Sequence, residues 1–530
     1  MPDKQSKPIT LLLVGLFAVG STSAALAETL RFANQADVNT LDPHGLNETF
    51  TLGFQGNIYE GLTRRGPDLS IEPALATSWE MIEPTRWRFS LRKGVTFHDG
   101  SAFTADDVVF SAERAKAEGS DLKSRLAGVV DVIAVDDHTV DFVTEQPNPI
   151  LNAEWDTWYI MDREWAEANN AVAPTNIADQ TGAFAHSHAN GTGPFKIESR
   201  EADIKTVSVI NEDWWDTPEH NLTEVVFQPI SSDSTRIAAL LSGEMDLVYP
   251  VPTQDVPRLE ATEGARALIG PELRTIFLGL DQDRDELLYS SVTGANPFKD
   301  RRVRLAMYQA IDMDAIVDRI MRGQATAAAS MVAPGVQGFP EGLERHAYDP
   351  EAAKALLVEA GYPDGFSVTM DCPNDRYVDD EAICQAIVGM LGRIGIDVDL
   401  LAQTRSLYFA KVLAQAGYDT SFYLLGWTPG SFDSWNALYN LVHSRTDDGA
   451  GAFNLGGYSN PEIDELTGKI LTETDLEARA LMIEEAWQIL HDDAGYLPLH
   501  QQALAWGVAD GVEVAQRADN QFAWRHVVKN

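Results

Sequence analysis

Apolar and polar positions alternate with a period of two between residues 78 and 97. Trp87, Phe89 and Leu91 share one face, while Arg86, Arg88 and Ser90 share the other. That is the spacing of a half-buried strand. Residues 30–33 read as a short strand entering a polar loop over 37–44. The runs 130–135 and 139–143 flank Asp136-Asp137-His138 and predict a hairpin. A period near 3.6 takes over elsewhere. Thr104 followed by Asp106 and Asp107 opens a helix, with its cap and early acids suited to the helix dipole. Residues 234–242 form a helix closed by Gly243, and a strand follows over 245–249. Val303, Ala306, Met307, Ala310, Ile311, Ile316 and Ile320 predict one helix over 301–321. Pro350 at the first helical position and Gly361 bound another. Further helices are expected over 381–394 and 476–491, with strands over 397–401 and 422–425. Helices and strands interleave along most of the chain, which argues an α/β class.

The first 27 residues stand apart. Lys4 and Lys7 precede an apolar run over 9–20, and small residues then lead to Ala25-Leu26-Ala27. This is the order of a cleavable secretory leader. No Cys follows the small residues, so a lipid anchor is not expected, and a periplasmic location is. The formal net charge is −40. A chain so acidic repels phosphate backbones and anionic lipid, which excludes nucleic-acid partners. The two cysteines, Cys372 and Cys384, reach an oxidising compartment with no competing third thiol, so a disulfide between them is expected.

Motifs of covalent chemistry are missing. There is no Gly-x-Ser-x-Gly elbow, no His-Glu-x-x-His, no Walker A sequence and no Gly-x-Gly-x-x-Gly. His186-x-His188 sits in an Ala- and Asn-rich stretch that reads as an exposed loop. Asp281-x-Asp283-x-Asp285 begins like a calcium loop, but Glu286 and Val292 replace the turn glycine and the bidentate Glu. No metal and no cofactor are expected.

Several stretches together resemble the solute-binding proteins of peptide/nickel-type ABC importers, family 5. These are Leu75-Ala76-Thr77-Ser78-Trp79-Glu80, the run over 87–100, Phe103-Thr104-Ala105-Asp106-Asp107-Val108, Gly191-Thr192-Gly193-Pro194-Phe195, Leu241-Ser242-Gly243-Glu244-Met245-Asp246, Phe298-Lys299-Asp300 with Arg302-Val303-Arg304, and Tyr348-Asp349-Pro350 with Ala360-Gly361-Tyr362-Pro363. They are collinear over about 30–500. The resemblance implies a two-lobed periplasmic-binding-protein fold of the larger, three-domain type, with a cleft between the lobes. By that similarity domain I is 28–65, 191–277 and 501–530. Domain II is 66–190, packed on domain I, and domain III, the second lobe, is 278–500. Crossings near 276–279 and 497–500 would form the hinge.

The resemblance also implies a receptor rather than an enzyme: a monomer that captures a small solute, peptide first, and delivers it to membrane permease subunits. An oligosaccharide is the second ligand class, because Trp427, Trp435 and Trp158 could stack on sugar rings. A secreted carboxylate-pair hydrolase is the reading from another class. The loop over 426–436 follows an apolar strand and is expected to wall the pocket with Trp427 and Trp435. Peptide-binding relatives place an amine-holding Asp where this chain has Gly430. Asp433 either reaches back to replace it, the favoured reading, or caps a helix starting at Ser434. Arg405 is the candidate for a ligand carboxylate, and Tyr59 and Asn47 are candidates on the first lobe. Amino-terminal sequencing of the exported protein is expected to begin at Glu28; any other start counts against the leader assignment.

Overall fold

The computed structural model describes residues 28–126, 128–176, 183–446 and 449–530. The leader assignment lies outside them. Among the described residues, one eleven-stranded mixed sheet runs through the whole molecule. Its order is Ile396–Gln403, Phe366–Pro373, Phe422–Trp427, Ala265–Leu280, Leu497–Ala509, Leu247–Tyr249, Glu28–Asn34, Leu222–Pro229, Lys205–Ile210 and Phe195–Glu201, with Ala325–Ala327 paired to Leu497–Ala509 on the side. The first three strands are parallel to one another and belong to the second lobe. The last five build the first lobe, where Glu28–Asn34 lies parallel to both of its neighbours. The two long strands between them pair antiparallel from Ala265↔Ala509 to Leu278↔Leu497. These two strands pass from one lobe into the other.

A separate four-stranded antiparallel sheet is formed by Ala76–Glu83, Arg86–Leu91, Thr139–Thr144 and Val129–Asp136. The alternation in the sequence maps onto it directly: Trp87, Phe89 and Leu91 are buried, whereas Arg86 and Arg88 face outward and bind Asp141. Helix Ala105–Lys116 covers its inner face, opened by the reciprocal Thr104–Asp107 capping box. Trp155 and Trp158 are buried against Phe142 in the same core.

One element departs from expectation. The single helix over 301–321 is two, Arg301–Gln309 and Met313–Arg319. The Asp312 side chain accepts the Ala315 amide at 3.0 Å and starts a new helix, so a local cap overrides a continuous apolar stripe. Cys372, at the end of Phe366–Pro373, is disulfide-bonded to Cys384 in helix Asp380–Arg393.

Buried charge ties the first lobe to its neighbouring sheet. Arg114 and Asp42 are fully buried and meet in two bonds of 2.7 and 2.6 Å. Burial alone would raise the Asp42 carboxyl, but the Arg114 guanidinium holds it at about 2. His44 is held neutral at about 4, mainly by burial and then by Arg114. His500, on the long strand Leu497–Ala509, is also kept at about 4 by burial, and neither of its ring nitrogens has a hydrogen-bond partner among the described residues. An unfolded chain takes up this proton below 6.5, while the fold refuses it until about 4. The His500 contribution is therefore intact above 6.5 and lost as pH falls through that window. His500→Phe is expected to cost no stability at pH 7, and to remove about 1.4 kcal/mol per pH unit from the acid-induced loss between 6.5 and 4. Urea unfolding at pH 7 and pH 5 measures both.

Candidate functional site

The strand Phe422–Trp427 carries the loop over 428–433 to the face where the lobes meet. There the guanidinium of Arg125 donates to the Gly430 carbonyl at 3.1 Å and to the Glu154 carbonyl at 3.1 Å. Arg65 lies over the Phe432 ring at 4.4 Å and donates to the Ser431 carbonyl at 3.3 Å. Phe432 has a left-handed φ of 54°, a conformation unusual for a bulky residue. Asn47 is exposed on the first lobe beside the same contact, with its Oδ1 3.4 Å from Arg125 Nη2. The structure thus brings Asn47 and the 427–435 loop together through Arg125. The Glu154 carboxyl, held by Asn148, is pushed up to about 7 by burial, and Asp433 across the interface adds to the rise.

Other expected residues are placed differently. Asp433 is 1% exposed and forms a two-pronged ion pair with Arg479, both distances 2.8 Å. Its Oδ1 also accepts the Trp435 amide, capping helix Ser434–Ala437. A carboxylate already neutralised by a buried guanidinium has no free charge for a ligand ammonium. The anchor reading is therefore corrected in favour of the cap. Tyr59 is 1% exposed inside the first lobe, so it does not face the cleft. Trp427 donates to Asn436 Oδ1 and packs on Phe453; Trp435 donates to the Thr467 carbonyl and stacks on Tyr439. With Trp158 buried, the three tryptophans proposed as sugar platforms are largely occupied by their own lobes.

Toward the hinge, sequence reading missed the strongest feature. The long strand Ala265–Leu280 changes register between Pro271 and Thr275, and the irregularity carries Glu272 and Arg274. Arg274 donates to Thr428 Oγ1 at 3.3 Å and sits 6.0 Å from the Tyr377 ring centroid. Arg376 lies 5.0 Å from the same centroid. Tyr377 reaches the Gly426 carbonyl at 3.4 Å, and a Cβ on Gly426 would come within 2.8 Å of the Tyr377 ring, so only glycine admits this contact. Arg405 is exposed at the start of helix Arg405–Val412; its amide donates to Asp375 and its charge reaches Arg376. Burial, then Arg274, lowers the Arg376 pKa. Glu272 lies 3.6 Å from Arg274 and already accepts from Gln502, while the Asp380 carboxylate is taken up by the backbone amides of Arg376 and Tyr377.

Residues 70–449 match the family described as bacterial extracellular solute-binding proteins, family 5. This chain belongs to that family. Similar solute-binding proteins include the glutathione-binding protein GsiB of Salmonella choleraesuis, 24% identical over 494 residues, which cover 92% of this chain and 91% of that protein. Among solved structures, the periplasmic binding protein DppA from Helicobacter pylori, in complex with the peptide STSA, is 27% identical with a TM-score of 0.74, covering 95% of this chain and 98% of that one. HbpA2 from Haemophilus parasuis has a TM-score of 0.82 at 22% identity, covering 95% and 100%. Both neighbours share the two-lobed fold of this solute-binding protein.

The buried Asp433–Arg479 pair gives a direct test of how this solute-binding protein builds its loop. Arg479→Met strands a buried carboxylate and is expected to cost about 3–5 kcal/mol of unfolding free energy. A loss under about 1 kcal/mol in denaturant melts would show that Asp433 is free to serve elsewhere.

Proposed function

We propose that this protein is the exported receptor of an ABC importer for a small acidic solute of the peptide class. The leader is removed before Glu28, no lipid anchor is attached, and the monomer hands its solute to membrane permease subunits. One observation carries the ligand class. On a chain of net charge −40, Arg274 and Arg376 converge on one tyrosine ring, and among the described residues Arg376 has no carboxylate partner. Two guanidiniums brought together repel each other, and desolvation adds to the cost. A ligand carboxylate relieves both, and a planar guanidinium can take it with two parallel hydrogen bonds. Arg405 adds a third positive charge nearby.

At Gly430, where the family resemblance leads one to expect an amine-holding Asp, the carbonyl instead accepts from the cation of Arg125. That end suits an anionic or neutral group better than an ammonium. The name of GsiB gives glutathione as its ligand and the Helicobacter pylori complex holds the peptide STSA, which supports a solute of the peptide class here.

Calorimetry with acidic, neutral and basic dipeptides tests the reading. Acidic peptides are expected to bind most tightly, and added salt to weaken them. Arg376→Gln is expected to weaken the best acidic peptide by about 2–4 kcal/mol, the range for breaking a desolvated charged pair. Equal affinity for basic peptides, or an unchanged affinity in Arg376→Gln, would overturn it.

A further inference from the structure

The first lobe holds a small, partly open cavity of about 40 Å³. Its wall comes from residues 53–65, from residues 156, 159, 194 and 214, and from the C-terminal stretch 517–525. No second-lobe residue lines the cavity, although Arg65 of its wall also meets Phe432 and Ser431 across the interface. Four guanidiniums line it, those of Arg64, Arg65, Arg517 and Arg525, against two carboxylates, Glu60 and Asp156.

Both carboxylates are engaged. Asp156 accepts from Arg65 Nε at 3.2 Å. Glu60 accepts from Thr192 Oγ1 at 2.9 Å and from the indoles of Trp214 and Trp215 at 3.2 and 2.7 Å. Three of the four cations are also paired: Arg65 with Asp156, Arg517 with Asp519, and Arg64 with Glu72 and Asp216. Arg525 has no carboxylate partner among the described residues, and its Nη2 donates only to the Arg65 carbonyl, at 2.9 Å. Burial, then the nearby Arg64 and Arg517 charges, lowers it to about 10.

The unmet atoms on the wall share one character. Arg525 Nε and Arg64 Nη1 are buried with no hydrogen-bond partner among the described residues. Both can donate, and no carboxylate oxygen of the wall is among the unmet atoms. A buried donor without an acceptor is costly, and more so when it is charged. A water molecule would satisfy them as acceptor but would bring hydrogens of its own into a wall whose carboxylates are already occupied. An anion brings none. The volume suits one small ion with a water or two, since a single water needs roughly 10–15 Å³ on this measure.

We propose that this cavity binds a small monovalent inorganic anion of halide size, held by Arg64 Nη1 and Arg525 Nε. The ion supplies the charge that Arg525 lacks and fastens the C-terminal stretch 517–525 to the first lobe.

Two measurements on the full-length mature protein test this. Crystals grown in sodium bromide are expected to give an anomalous peak between Arg64 and Arg525. Replacing sodium gluconate by sodium chloride at equal ionic strength is expected to raise the melting temperature by about 1–3 °C. In Arg525→Gln the increment should disappear. If that variant does not fold, the wild-type bromide map and chloride increment decide alone. A cavity without an anomalous peak overturns the proposal. So does a peak with no chloride-specific increment, which would mark an adventitious ion only.

Discussion

The antiparallel pairing of Ala265–Leu280 with Leu497–Ala509 is the constraint on which the architecture rests. Each strand is shared between lobes, so one continuous sheet serves two cores, one lobe's around Phe32, Phe227 and Trp524 and the other's around Leu278, Met370 and Phe422. A crossing made of paired backbone resists separation of the lobes, since it is held by hydrogen bonds between the two strands. The register change within it has a local consequence as well. It places Arg274 beside the loop of Thr428, so that the crossing strand itself furnishes part of the charged surface.

Arginine does most of the internal joining in this acidic chain. Arg114 fixes the 40–44 loop through Asp42 and the Ala171 carbonyl, and Arg479 fixes the 429–433 loop through Asp433. Arg304 holds helix Arg301–Gln309 to the Asp493 and Ala494 carbonyls. These side chains are buried with their partners, where a planar five-donor group can satisfy several acceptors at once. Against this background Arg376, Arg345 and Arg525 stand apart as guanidiniums without a carboxylate partner among the described residues; Arg345 is held instead by the Ala328 and Pro498 carbonyls.

Much of the fold was legible because it is local. The Trp87, Phe89 and Leu91 stripe, the Thr104 cap and the proline-led helix Pro350–Glu359 follow from neighbours within a few residues. The break at Asp312 was missed because the apolar stripe continues through it while the backbone does not. The site was far less legible. Asp433 reads as cap or anchor until Arg479, 46 residues on, is seen to occupy it. Tyr59 looks like an aromatic at a lobe edge until a whole core closes over it. Arg376 carries no signal of its own, since its meaning comes from Arg274, which lies about a hundred residues earlier on the long strand Ala265–Leu280.

The Cys372–Cys384 bond brackets Arg376 and Tyr377. Within that span the Asp380 carboxylate accepts the amides of both residues, at 3.0 and 2.9 Å, and Asp379 accepts a hydrogen bond from Thr253 of the first lobe. A short loop closed covalently at its base and tethered inside has little conformational freedom left to surrender. The entropy of arranging the tyrosine and its arginine is thereby spent during maturation rather than at each encounter with solute. The free receptor waits with this part of its surface already in shape.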